Sequence, residues 1–541
     1  MGVAVALAAL GVASGLYLGH RRTATSQPTG NNTEQAPIVT TPASVVSGDP
    51  GGSPGPAEKI SARVQSENAR PGSSGWKLTD VATNGEIEGF AERTSINSGD
   101  PINLDVSTSA PTFRAEAYRM GYYHGSGARL IWSSPDTAGA RQAKPSFTSN
   151  VNMIEAHWAP SLTVATQGWP EGDYLFKLVA STGKQHYVPL TVRNDSSTSA
   201  YVILNAVTTW QAYNLWGGYS LYEGKNGNGS DFDHRSRIVS FDRPYTLGDG
   251  AGDFLGLEFP LVSLTESLGL DVSYLTDVDI HQRPEALLAR RAVLSLGHDE
   301  YYSLKMRNAL QTARDQGVNL AFLGANAIYR HIRFEPSPIG PDRHQIDYKS
   351  AGGDPLYGKD DADVTVSWRD PPNNDPESQI IGNFYQCNPV RADMVIVDPA
   401  NWLFAGTGVV AGQRLHDVVG SEYDRYDARV PGPSNVEILA HSPLTCHGRA
   451  DFADATYYSA TSGAGVFAAG TIDFVGHMDA NCQPEGCPGR VLGKVIQNLL
   501  SAFGAGPAGL VHPSDPAQSG YRPPPPVNAR TTTTAPPSAR H

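Results

Sequence analysis

The sequence predicts a two-part fold: a β-sandwich over residues 59–195, then an α/β domain over residues 196–505 built on a mostly parallel open sheet. Three observations predict it. From Trp76 to Asn194, short alternating apolar runs recur between turn signals, with no long amphipathic helix among them. From Ala200 onward, apolar strand-like runs alternate with helical patterns. Finally, AVLSLGHDEYYS (Ala292–Ser303) opens a strand–turn–helix–strand unit that closes on Val318–Leu323. A βαβ crossover of this kind is right-handed and makes its strands parallel. Both carboxyl ends then open on one sheet edge, where open α/β sheets hold their ligands.

Taken in order, residues 1–22 read as a signal peptide or membrane anchor, because Val3–Gly19 is apolar and uncharged. The basic cluster His20-Arg21-Arg22 follows the run instead of preceding it, which by the positive-inside rule alone would leave the domains in the cytoplasm. The Pro/Thr-rich flanks point the other way, and the expectation is a secreted or membrane-anchored chain with its domains outside the cytoplasm. Residues 23–58 read as a disordered Ser/Thr/Pro/Gly linker. In the sandwich, Ile102–Val106, Phe113–Arg119, Tyr174–Val179 and Tyr187–Val192 read as strands. In the α/β part, Ala200–Ala206, Val272–Leu275, Ala292–Leu296 and Val318–Leu323 are strands, with Gly297 expected to end the third. Helical patterns cover Leu261–Leu268, Pro284–Arg291, Tyr301–Arg314 and Val491–Phe503. Met394–Val397, Val436–Leu439 and Gly465–Ala469 read as later strands, and residues 506–541 as a disordered Pro/Thr-rich tail.

Of the 541 residues, 54 are acidic and 41 basic, so the net charge of −13 argues against nucleic acid or an anionic membrane surface as the main partner. Four cysteines behind an export-like segment read as two disulfides, Cys482 with Cys487 and Cys387 with Cys446. A four-thiolate zinc site is the rival, without the usual C-x2-C spacing. The acidic stretches Lys225–Asp233 and Gly248–Asp253 raise a calcium reading, although EF-hand spacing is absent.

Four strand ends carry the chemistry. After the first come Thr208, Thr209, Trp210 and Tyr213; after the second Asp277, Asp279 and His281; after the third His298, Asp299 and Glu300; after the fourth Asn326. Each has a plain structural explanation: Asp279 as a helix cap, Trp210 and Tyr213 as interface aromatics, Asn326 as a turn residue, His298 as a hydrogen-bonded core histidine. Together on one edge they predict a site.

The strings TWQAYNLWGGYSLY (Thr209–Tyr222), SFDRPY (Ser240–Tyr245), LGHDEYYS (Leu296–Ser303), LAFLGANAIY (Leu320–Tyr329) and YRMGYYHGSGARL (Tyr118–Leu130) resemble the catalytic large subunit of N,N-dimethylformamidase and its relatives. The resemblance spans Trp76 to Ala505. It implies a β-rich domain followed by an α/β domain of the class I glutamine-amidotransferase-like kind. It further implies that the amidotransferase nucleophile is missing and that a mononuclear iron, Fe(3+), is held by two tyrosines and one glutamate. By motif, the resemblance makes Glu300 and Tyr213 metal ligands and Tyr174 the second tyrosine, with Tyr122, Tyr123 and Tyr187 as rivals. It makes His298, Asn326 and Glu422 catalytic, with Glu437 the rival of the last. Because Tyr174 belongs to the sandwich, the metal is expected to bridge the two domains.

The chemistry is coherent. A ferric ion favours phenolate and carboxylate oxygens, and only a strong Lewis acid removes a phenol proton near neutral pH. Hydrolysis of a C–N bond in a small amide is the expected activity, with a homo-oligomer as a possible assembly. The competing reading is a non-catalytic or carbohydrate-binding cell-envelope protein that keeps the fold and uses the edge aromatics as a sugar platform.

Overall fold

Ala292–His298 is buried along its whole length, as an apolar run must be when it lies inside a covered parallel sheet. The computed structural model that places it describes residues 59–224, 232–478, 482 and 487–517. The N-terminal segment, the linker, most of the Lys225–Asp233 stretch and the tail beyond 517 lie outside the described residues. Among the described residues, no helix is long and apolar enough to cross a membrane.

Seven strands make the central sheet: β1 (Tyr201–Asn205), β2 (Val272–Thr276), β3 (Ala292–His298), β4 (Asn319–Ala325), β5 (Glu437–Cys446), β6 (Arg449–Ser459) and β7 (Gly465–Ala468). Their order is β2-β1-β3-β4-β7-β6-β5. The first five in that order are parallel; β6 and β5 extend the sheet antiparallel, so it is mixed. Helix α1 (Val207–Tyr213) leaves the end of β1, and α2 (Leu304–Asp315) connects β3 to β4.

The sequence places the βαβ unit well but misjudges its joints. Gly297 does not end β3. It adopts φ +55 and continues into His298, paired with Gly324 on β4. A Cβ at Gly324 would stand 1.7 Å from the Gly297 carbonyl oxygen, so the two strands approach at glycine alone. Tyr301–Ser303 is not the first turn of the helix; it is a short strand pairing parallel with Arg330–Glu335, and the Ser303 side chain caps α2 by accepting from the Met306 amide. Pro284–Leu287 makes only a 3-10 turn. Residues 506–517, expected in the tail, dock on the sheet instead: the Ala508 amide donates to Asn319 Oδ1 and the Ser514 amide to Ser459 Oγ.

Residues 87–193 form two facing, mostly antiparallel sheets, with Ser95–Asn97 joining the larger one in parallel, around a core of Leu104, Phe113, Phe176 and Val188. A larger core joins sandwich residues Tyr118, Leu175 and Tyr187 to Ile203, Trp210 and Leu261. At the interface Arg119 and Glu266 form an ion pair excluded from solvent, shared with Tyr123 and Tyr274. A long two-stranded hairpin, Phe384–Val395 with Arg414–Arg425, crosses the carboxyl edge of the sheet. The chain is thus β-rich with several sheets. Cys387–Cys446 and Cys482–Cys487 are disulfides, which leaves no thiolates for zinc among the four.

Gly324→Ala should destabilise the fold by about 1–3 kcal/mol, because its methyl group meets backbone that cannot yield. Gly256→Ala, whose Cβ meets nothing within 4 Å, should change stability by about 0.5 kcal/mol or less. Urea unfolding of both variants beside the wild type checks this.

Candidate active site at the carboxyl edge of the central sheet

The site is built around Glu300. Its backbone amide donates to Thr209 Oγ1 at the start of α1, which pins the end of β3 to the end of β1. Helix α1 then delivers Tyr213, whose hydroxyl donates to Glu300 Oε2 at 2.9 Å. The chain turns through Gly217 and Gly218, both at positive φ, and returns, with the Leu221 amide donating to the Ala212 carbonyl at 2.9 Å. That closure sets Tyr222 beside Tyr213, with ring centroids 4.4 Å apart, and the Tyr222 hydroxyl lies 3.0 Å from both oxygens of Glu300. The two phenolic oxygens are themselves 2.9 Å apart. Two phenols and a carboxylate thus converge as a compact set of oxygen donors, the set that suits a hard, highly charged cation.

Further groups close around them. The Tyr301 hydroxyl lies 2.6 Å from that of Tyr222, and Lys349 Nζ donates to Tyr301 at 2.9 Å while sitting 3.2 Å from the Tyr222 ring centre. His298 Nε2 approaches Glu300 Oε2 at 3.3 Å and Glu422 Oε2 at 3.8 Å. Asn326 Nδ2 donates to Glu422 Oε2 at 2.7 Å and lies 3.5 Å from His298 Nε2. Asn326 sits at φ +57, which Asn tolerates better than most residues, and its amide is fixed by Asp424. Its Oδ1 is buried and has no protein partner.

The charges follow from burial and pairing. Burial opposes charge on His298, but Glu422 and the hydrogen bond to Glu300 outweigh it and carry the imidazole up to about 9. Burial raises Glu300, and the His298 hydrogen bond and charge override it, taking the carboxyl down to about 2. Glu422 is pushed up by burial, partly offset by His298. Burial, reinforced by the Glu300 charge, holds the Tyr213, Tyr222 and Tyr301 phenols well above their usual range. Lys349 is driven well down by burial and by Arg330.

Tyr213, His298, Glu300, Asn326 and Glu422 are therefore brought together, from α1, β3, β4 and the hairpin. Tyr174 is not. Its hydroxyl donates to the Pro170 carbonyl at 2.6 Å and its ring stacks on Trp169 at 5.1 Å, inside the sandwich core. Its rivals are engaged elsewhere or exposed: Tyr123 donates to Glu67, Tyr187 to the Trp76 carbonyl, and Tyr122 lies at the surface. The second phenol on Glu300 is Tyr222. It lies inside the string Thr209–Tyr222, but only the loop closure reveals its place. Lys349 and Asn388, whose Nδ2 donates to Glu422 Oε1 at 2.8 Å, come from loop and bulge positions without periodic signal. Glu437 bonds Asn401 instead. Asp279 caps its helix in a Thr276–Asp279 capping box, and Trp210 donates to Glu258 in the domain interface. Asp299 turns inward to Ser295 and Tyr302.

A family model described as "N,N-dimethylformamidase beta subunit-like, C-terminal" matches residues 114–486, a span that holds every residue of this cluster. No curated protein matches. Among solved structures, a Paenibacillus cycloisomaltooligosaccharide glucanotransferase complexed with cycloisomaltoheptaose is 10% identical over 42% of this chain and 28% of that one, with a TM-score of 0.15. At that score the likeness carries no argument.

The folded chain favours protonated His298 over the ordinary value of 6.5, so this contribution is complete below pH 6.5 and is lost as pH rises through about 9. Metal-free protein should lose about 3 kcal/mol of stability across that window, and His298→Gln should abolish the step. Urea unfolding of metal-free protein between those pH values measures it; an unchanged profile in the variant would contradict the pairing.

Proposed function

The chain belongs to the N,N-dimethylformamidase beta subunit-like family, and from that premise we propose that it is a metal-dependent hydrolase of a C–N amide bond in a small substrate. The observation that carries this reading is the convergence of Tyr213, Tyr222 and Glu300, three oxygen donors within hydrogen-bond distance of one another, beside a second acid, an imidazole and an amide. A binding platform has no need of that set. The metal we propose is Fe(3+), held by the two phenols as phenolates and by Glu300. It would supply Lewis acidity, which polarises a carbonyl and acidifies water.

The chain's own groups divide the remaining work. Glu300 anchors the centre and, through His298, keeps a proton at Nε2 near neutral pH. Glu422, whose carboxyl burial pushes up, is placed beside His298 to take a proton from an attacking water. Held 3.8 Å from Glu422, His298 is placed to give its proton to developing negative charge or to the departing amine. Asn326 orients Glu422 through Nδ2 and leaves Oδ1 to accept the N–H formed when the departing amine is protonated. Arg330, with Nε 3.5 Å from Glu300 Oε1, and Lys349 line the opposite wall, and the buried ring of Tyr301 excludes water there.

The five parallel strands support assigning this half to the glutamine-amidotransferase-like kind. Its cysteine nucleophile has no counterpart, since all four cysteines are paired in disulfides.

Purified protein should carry near-stoichiometric iron and a visible tyrosinate-to-iron charge-transfer band, and hydrolyse N,N-dimethylformamide or a close relative. Tyr213→Phe, Tyr222→Phe and Glu300→Ala should each lose the band, while Tyr174→Phe keeps it. Glu422→Gln should keep the metal and lose about 100-fold or more in turnover. Colourless protein that takes up no iron on reconstitution would sink this reading.

A further inference from the structure

Glu422 is the one acid of the site that does not stand on the central sheet. It is carried by the hairpin strand Arg414–Arg425, and each of its oxygens is claimed by an amide. Asn326 Nδ2 donates to Oε2 at 2.7 Å and Asn388 Nδ2 to Oε1 at 2.8 Å. The two amides are held very differently. Asn326 is buried, with its backbone fixed by Asp424. Asn388 is exposed, so packing does not hold it.

The strand ladder does not hold it either. The hairpin register slips between Cys387 and Val390, the pairs that flank Asn388, and again between Tyr385 and Cys387. Irregularities of this kind re-aim side chains and leave the local backbone short of ladder bonds. The remaining restraint is covalent. Cys387, the residue before Asn388, is bonded to Cys446 at the end of β5, and the Asn388 carbonyl oxygen lies 3.7 and 3.6 Å from the two sulfurs. The disulfide therefore ties the bulge to the edge of the central sheet, where a charge-assisted hydrogen bond can then direct the carboxylate.

We propose that Asn388 is a positioning residue for Glu422 and that the Cys387–Cys446 disulfide is what fixes it. The role in turnover rests on the hydrolase reading above; the fixing of Glu422 does not. An amide on a mobile bulge would hold Oε1 only part of the time, leaving the carboxylate free to rotate and carry Oε2 away from His298. With the disulfide closed, both oxygens are bonded and one orientation remains.

The test compares wild type, Asn388→Ala, Asn388→Asp, the double variant Cys387→Ser/Cys446→Ser, and the last combined with Asn388→Ala. With N,N-dimethylformamide as probe and at a temperature well below unfolding, Asn388→Ala and the double variant should each lower kcat about tenfold, with KM and iron content little changed. Asn388→Asp, of the same shape but without the donor, should fall at least as far. The combined variant should fall no further than either alone, because both changes break one link. Additive losses, or a normal kcat in Asn388→Ala, would overturn the proposal. Should the wild type hydrolyse no amide, the hydrolase reading fails and crystal structures decide the positioning role. Glu422 displaced or split between rotamers in both Asn388→Ala and the double variant supports it. Glu422 unmoved in both overturns it.

Discussion

A buried carboxylate, Glu300, sets the terms for everything at the carboxyl edge of the sheet. Taken out of water, such a group persists only if other groups replace its hydration. Here two phenols, an imidazole and a guanidinium do so, and each comes from a different element. The tyrosines donate hydrogen bonds without adding charge, Arg330 adds positive charge beside Glu300, and His298 lies between Glu300 and Glu422. Removing any one of them leaves the remainder unsatisfied, so the cluster acts as a unit. On the proposed reading, the same economy makes it receptive to a cation. Phenols held this far above their usual range part with a proton only to a strong competitor for the oxygen, which biases the site towards hard, highly charged ions.

This convergence depends on backbone geometry that ordinary residues would not supply. β3 and β4 touch at Gly297 and Gly324, which lets the two strand ends lie close enough for His298 and Asn326 to share Glu422. Just beyond, Asn326 and Ile328 both sit at positive φ, and for a β-branched residue that is costly. The Ile328 amide donates to the Asp299 carbonyl, and the Arg330 amide to the Glu300 carbonyl. The strained turn is thus held against the strand that bears the central acid.

Those backbone facts explain what the sequence made legible. His298, Glu300 and Asn326 follow apolar runs directly, and Tyr213 ends the short helix after another, so a pattern that locates strands also locates them. Glu422 emerges only from its motif, since the strand bearing it belongs to a bulged hairpin with no clean alternation. Tyr222 is hidden because a loop, not a period, returns it to Tyr213. Tyr174 misleads for the opposite reason: it lies in a regular strand with the right neighbours in sequence, and nothing in spacing reveals that its hydroxyl is spent on Pro170. Gly297 reads as a breaker because glycine usually breaks strands; here it is the close contact that keeps the strand going. Lys349 lies in a loop-rich stretch where periodicity carries no information.

The cluster also divides by the stiffness of what supports it. Glu300, His298, Asn326 and Tyr213 stand on or directly after the central sheet, where parallel neighbours on both sides fix them. Glu422 and Asn388 ride on a hairpin whose ladder is interrupted beside them. A metal-holding set needs fixed donors, since a small displacement of one ligand costs affinity. A base that must take up a proton and give it away gains from a carrier that can yield slightly, provided its resting orientation is defined. On the proposed reading, Tyr213 and Glu300 stand at the sheet edge, a closed loop returns Tyr222 to them, and the base rides on a tethered hairpin, so one fold meets both demands.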